Sequence, residues 1–211
     1  MPDQRLLIDN DAFLRLSGAG VLERAVQQLG FAREQVLRLP SLPYMIQKSK
    51  SLQKRYAPAL LARASANCPL IHPITNQPDA ELMARLSNNP QVDGGEVLLY
   101  GLLVEHPLYL LASNDKRAMR ALASDPRLID IRDAVAGRVI CLERIIRQFL
   151  GIHGQDATAR FFQPVLDCDI MLQVVLSPAT VAVPGRCALA LDAYLADLKR
   201  SVGEGFLYEG P

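Results

Sequence analysis

Three short stretches of the 211-residue sequence place carboxylates where an apolar run stops or a helix opens. "LLIDND" ends its apolar run in Asp9 and adds Asn10 and Asp11; "DGGE" sets Asp93 and Glu96 three apart; "LYLLASNDKRA" ends a second apolar run in Asn114 and Asp115, directly ahead of Lys116 and Arg117. Carboxylates brought together repel one another, and burying them without compensation costs several kcal/mol. A divalent cation removes that conflict. Mg2+ or Mn2+ takes a few carboxylates plus waters and leaves positions for phosphate oxygens and a nucleophilic water. Asp9, Glu96 and Asp115 are therefore the candidate catalytic and metal-ligating residues.

The elements that must position them follow from hydrophobic periodicity. Residues 5–8 read as a short strand buried on both faces, as in a parallel sheet. Phe13, Leu14, Leu16, Val21, Leu22, Val26 and Leu29 recur at helical spacing and predict one helix up to Gly30. A strand is expected over 70–74, short or at an edge because of its two prolines. "DAELMARLSNNP" and "DGGEVLLYGLLVEHP" predict two helices closed by Pro90 and Pro107, "LYLLAS" a buried strand, "KRAMRALASDP" a helix, "GRVICL" a last strand and "ERIIRQFLG" a helix stopped by Gly151. Helical patterns over 155–176 and 184–202 and a Gly-rich aromatic tail complete the chain. Strands alternating with helices imply a three-layer α/β/α sandwich around a mainly parallel sheet, with residues 1–150 as one domain and 151–211 as a helical C-terminal extension. In such sheets ligands collect beyond the carboxyl ends of the strands, where Asp9 and Asp115 fall.

Taken together, "LLID", "DGGE" and "LYLLASNDKRA" resemble the PIN domain nucleases, which include the toxin halves of many bacterial toxin and antitoxin pairs. The resemblance spans about Arg5 to Phe149 and implies a PIN-like fold and metal-assisted hydrolysis of RNA phosphodiesters. It implies Mg2+ or Mn2+ held by Asp9, Glu96 and Asp115, Asn10 and Asn114 orienting groups around the metal, and Lys116 and Arg117 meeting the backbone of single-stranded or looped RNA. Asp11 is either an accessory group or the cap of the following helix, and Asp93 caps the helix that carries Glu96. The family often has a fourth acidic residue; Asp130, Asp133 and Glu143 are the candidates here, each with the alternative of a surface charge.

Two other readings use the same residues. "DND" is similar to the DxD of haloacid dehalogenase-type phosphatases, with Asp9 as nucleophile, Asp11 as proton donor, Ser113 as phosphate-binding hydroxyl and Asp130 or Asp133 on a metal. A PIN-like fold without activity would serve as an interaction module through its C-terminal helices, which otherwise read as part of the core or a homodimer interface; an antitoxin-like protein is the candidate partner.

Lysine and arginine (23) nearly balance aspartate and glutamate (22), so nucleic acid would have to be drawn by local patches. "QKSKSLQKRY" reads as a solvated helix face. The four cysteines are far apart with no CxxC pair, which predicts reduced, buried thiols and neither a zinc site nor a disulfide framework. His72, His106 and His153 lack metal-ligand spacing, and there is no phosphate-binding loop or dinucleotide fingerprint. Neither a signal peptide nor a membrane span is expected, and the protein reads as cytoplasmic.

Overall fold

In a computed structural model that describes residues 4–210, the chain folds around one five-stranded sheet, all parallel. The strands are β1 (Leu6–Ile8), β2 (Val36–Arg38), β3 (His72–Pro73), β4 (Leu110–Ser113) and β5 (Val139–Cys141), in the order β3-β2-β1-β4-β5. Each crossover is helical. α1 (Asn10–Gly18) and α2 (Leu22–Gln28) lead to β2; α3 (Leu42–Lys48), α4 (Lys50–Arg55) and α5 (Pro58–Asn67) lead to β3; α6 (Ala80–Ser87) and α7 (Gly94–Glu105) lead to β4; α8 (Lys116–Ser124) and α9 (Ile129–Val135) lead to β5. After the sheet come α10 (Leu142–Phe162), α11 (Ile170–Val175), α12 (Pro178–Val181) and α13 (Arg186–Val202).

Helices cover both faces, and alternation along the strands shows it. Leu6 and Ile8 enter one core with α1, α2, α5 and α10, whereas Leu7 enters the other with α7, α8 and α9. The strand order turns back at β1: the chain leaves it first towards β2 and β3, then returns to β1's other side with β4. The register there sets Ile8 against Ala112. That switch point is where an open α/β sheet leaves a crevice beyond its strand ends.

The last 60 residues pack into these same cores. Phe162, Val165, Met171, Leu172, Cys187 and Leu191 join the first, and Leu195, Leu198 and Val202 join the second, so α13 reaches from one layer to the other. Leu207 then forms a single parallel bridge with Val139 of the edge strand β5.

Several boundaries differ from those expected. The helix predicted over 13–29 is two helices, because the Gly20 and Val21 amides donate back to the carbonyls of Ser17 and Leu16 and turn the chain. Gly151 does not stop α10; the break comes at Gly154, whose φ of 74° an L side chain would resist. The strand expected over 70–74 shrinks to two residues at the sheet edge, flanked by Pro69 and containing Pro73. The pattern predicted over 155–176 becomes the end of α10, a 3-10 segment (Gln163–Cys168) and α11. β2 was not foreseen. It is three residues long and ends in Arg38, which stays buried by donating to the Cys68 and Leu39 carbonyls. As expected, all four cysteines are free and buried, and α4 shows Lys50, Lys54 and Arg55 to solvent. Among the described residues no helix is long and apolar enough to cross a membrane.

Candidate functional site

Asp9 leaves β1 beside the loop after β4, and the pairing of those strands builds its surroundings. Its amide donates to the Ala112 carbonyl. Its carboxylate is buried and accepts three hydrogen bonds: from the Ala12 amide to Oδ1 (2.5 Å), and from the Ser113 hydroxyl (2.5 Å) and the Asn114 amide (2.7 Å) to Oδ2. Asp9, and not Asp11, is thus the N-cap of α1. Burial pushes its carboxyl up to about 6, partly offset by the three hydrogen bonds and reinforced by the charge of Asp11.

α7 brings the second group. Asp93 Oδ1 accepts from the Gly95 (2.8 Å) and Glu96 (3.1 Å) amides, and Glu96 Oε2 accepts from the Asp93 amide (2.6 Å), the reciprocal pattern of a capping box. Gly95 lets that turn approach β2: a Cβ there would come within 3.0 Å of the Leu39 side chain. Burial, the Asp93 carboxyl and the charges of Asp93 and Asp115 push Glu96 up to about 9. Burial alone would raise Asp93 too, but hydrogen bonds from Glu96 and Gly95 hold it below the usual carboxylate range. The two carboxyls therefore titrate as a pair, with Glu96 the member pushed up and Asp93 the member held down.

Asp115 completes the set as the N-cap of α8, accepting from the Ala118 amide (2.8 Å). Asp9, Asp93, Glu96 and Asp115 line one cleft of about 440 Å³, with Asn10 and Asp11. Three helix N-termini open on it, which favours negative charge there. No family model, characterised protein or solved structure gives a significant match to the chain.

The cleft offers hard oxygen donors of the kind Mg2+ or Mn2+ takes. Among the described residues no three acidic, histidine or cysteine side chains converge closely enough to cage an ion. Mg2+ sites are seldom cages: the ion keeps several waters and uses one or two carboxylates plus substrate phosphates. Asn10 fits that arrangement. It lines the cleft, its Nδ2 contacts Met45 Sδ (3.1 Å), and its buried Oδ1 has no partner among the described residues.

The cations lie on an adjoining groove of about 600 Å³ that shares Asp11 and Asp115 with the cleft. Lys116 is partly committed, because its Nζ lies 2.7 Å from Glu143 Oε1 and donates to Asn114 Oδ1. Arg117 is exposed, with Asp115 Oδ2 at 3.4 Å. Arg55 borders the same groove, 3.5 Å from Asp11.

Of the three candidates for a fourth acid, Glu143 is no surface charge: it is 1% exposed. Asp130 and Asp133 are exposed and pair with Arg85 and Arg132, away from the cleft lining. Ser113 donates to Asp9, so its hydroxyl proton is already placed.

Sequence reasoning missed a buried cluster under the groove. Arg15, 1% exposed inside α1, bonds Asp11 and sets its Nε 2.9 Å from Asp169 Oδ2, to which Asn114 Nδ2 also donates (3.4 Å). An arginine within the apolar face of α1 was the available signal, since a buried guanidinium requires carboxylates around it.

Proposed function

We propose that this chain is a PIN-like, metal-dependent ribonuclease that hydrolyses RNA phosphodiesters. The observation that carries this reading is the convergence of Asp9, Asp93, Glu96 and Asp115, from three separate elements, on one cleft at the switch point of a parallel sheet. Burial, joined by the repulsion of Asp93 and Asp115, pushes the Glu96 carboxyl up to about 9. A divalent cation relieves that repulsion.

Asp9, Glu96 and Asp115 would hold Mg2+ or Mn2+. Bound there, the ion would supply Lewis-acid polarisation of a phosphoryl oxygen and acidify a water. The protein's own part is positional. Ser113 and the Asn114 amide fix the Asp9 carboxylate, the Asp93 amide fixes Glu96, and the Ala118 amide fixes Asp115. Arg117 and Arg55 edge the adjoining groove, where a phosphate backbone leaving the cleft meets positive charge. Single strands and unpaired loops, whose splayed-out nucleotides can enter such a cleft, are the target class.

The test is Mn2+ titration calorimetry on the wild type, Glu96→Gln and Asp11→Asn, with cleavage of a single-stranded RNA followed alongside. The wild type is expected to bind and cleave, Glu96→Gln to lose both, and Asp11→Asn to keep both. Unchanged Mn2+ binding and cleavage in Glu96→Gln would sink the proposal.

A further inference from the structure

Tyr100 carries a hydroxyl that the fold leaves without a partner. The side chain is 1% exposed, and no donor or acceptor among the described residues reaches its oxygen. Buried phenols normally find a hydrogen bond, and leaving one unpaired is destabilising. Its position explains why the fold tolerates it. Tyr100 stands one helical turn beyond Glu96, so the two share a face of α7, and its neighbour Leu99 lines the acidic cleft. The charges that bear on the phenol are those of Asp9, Glu96 and Asp115, one from each element that builds the cleft.

The carboxylates do not answer the hydroxyl directly. Asp9 takes the Ala12 and Asn114 amides and the Ser113 hydroxyl, Glu96 takes the Asp93 amide, and Asp115 takes the Ala118 amide. What remains is a partner that the protein itself does not supply.

We propose that the Tyr100 hydroxyl is a positioning group for a water in the hydration shell of the cation that Asp9, Glu96 and Asp115 hold. The inference rests on the metal-dependent reading of the cleft. It has a consequence that a merely structural tyrosine lacks: removing the hydroxyl acts in opposite directions on the metal-free and metal-bound protein. Without metal, phenylalanine removes an unpaired polar group and loses nothing. With metal, it removes an outer-shell contact of the kind worth about 10–100-fold in affinity.

The test compares wild type, Tyr100→Phe and Glu96→Gln by metal-free thermal unfolding and by calorimetry with Mn2+ alone. Tyr100→Phe is expected to unfold at or above the wild-type midpoint while its Mn2+ Kd rises about tenfold or more. A lowered metal-free midpoint with an unchanged Kd would mean that the hydroxyl holds a permanent structural water, and would overturn the proposal while leaving the metal reading intact. A wild type without saturable Mn2+ binding, or Glu96→Gln binding as the wild type does, would bring down the metal reading and the role of Tyr100 with it.

Discussion

At the scale of the residue, two carboxyls are pushed above the range that ordinary aspartates and glutamates keep. Asp9 is raised to about 6 chiefly by burial, and Glu96 to about 9 by burial and by Asp93 and Asp115. Both folded values lie above the unfolded ones. Their stabilising contributions are therefore complete below the unfolded carboxylate range and are lost as pH rises through the folded values. We expect the metal-free midpoint to fall between about pH 5 and 9, and the upper part of that slope, above pH 7, to flatten in Glu96→Gln; thermal scans at a pH series check it. Metal affinity runs the other way. Because Glu96 must lose its proton to bind, the Mn2+ association constant is expected to rise by up to about tenfold per pH unit between 7 and 9, with proton release visible as a buffer-dependent binding enthalpy. The candidate acids were legible because each stands at a strand or helix boundary. Their second duty was legible at Asp93, through the capping pattern of "DGGE", but not at Asp9 and Asp115, which are N-caps as well because one residue type serves both capping and metal binding.

At the scale of the element, the loop after β4 is a junction. Asn114 donates its amide to Asp9 and its side chain to Asp169, tying β1, β4 and α11 together, while Arg15 bonds Asp169 from beneath. Asp169 is also the N-cap of α11 through the Met171 and Leu172 amides. Asp169→Ala leaves the buried Arg15 guanidinium with Asp11 as its remaining carboxylate and removes a cap, so a loss of about 2 kcal/mol is expected in urea unfolding. Asp130→Ala, whose carboxylate pairs with Arg85 on an exposed surface, is expected to change little in the same experiment. This junction was hidden from sequence reasoning for a physical reason. Helical spacing reveals which face is apolar, but nothing local announces that Arg15 and Asp169, 154 positions apart, meet. β2 was lost differently: three residues are too few to show a period, and Arg38 breaks their apolar character.

At the scale of the whole molecule, the parallel α/β plan was readable from strands alternating with helices, as were β1, β4, β5 and α13. The place of the last 60 residues was not, because their apolar positions show amphipathic helices without naming the surface they cover. They cover both layers: α13 places Leu191 in one core and Leu198 in the other. Removing residues 186–211 exposes both, and the shortened chain is expected to lose cooperative unfolding and to bind a hydrophobic dye such as ANS. The link from Asn114 and Arg15 to Asp169 also sets an order of events during synthesis. The cleft's carboxylates have all been synthesised once Asp115 is added, yet the Asn114 side chain, in the loop that orients Asp9, has no Asp169 to bond until that residue follows. A nascent chain therefore carries its acidic residues for some 54 positions before the framework that aligns them can close, so full alignment comes only after most of the polypeptide has been translated.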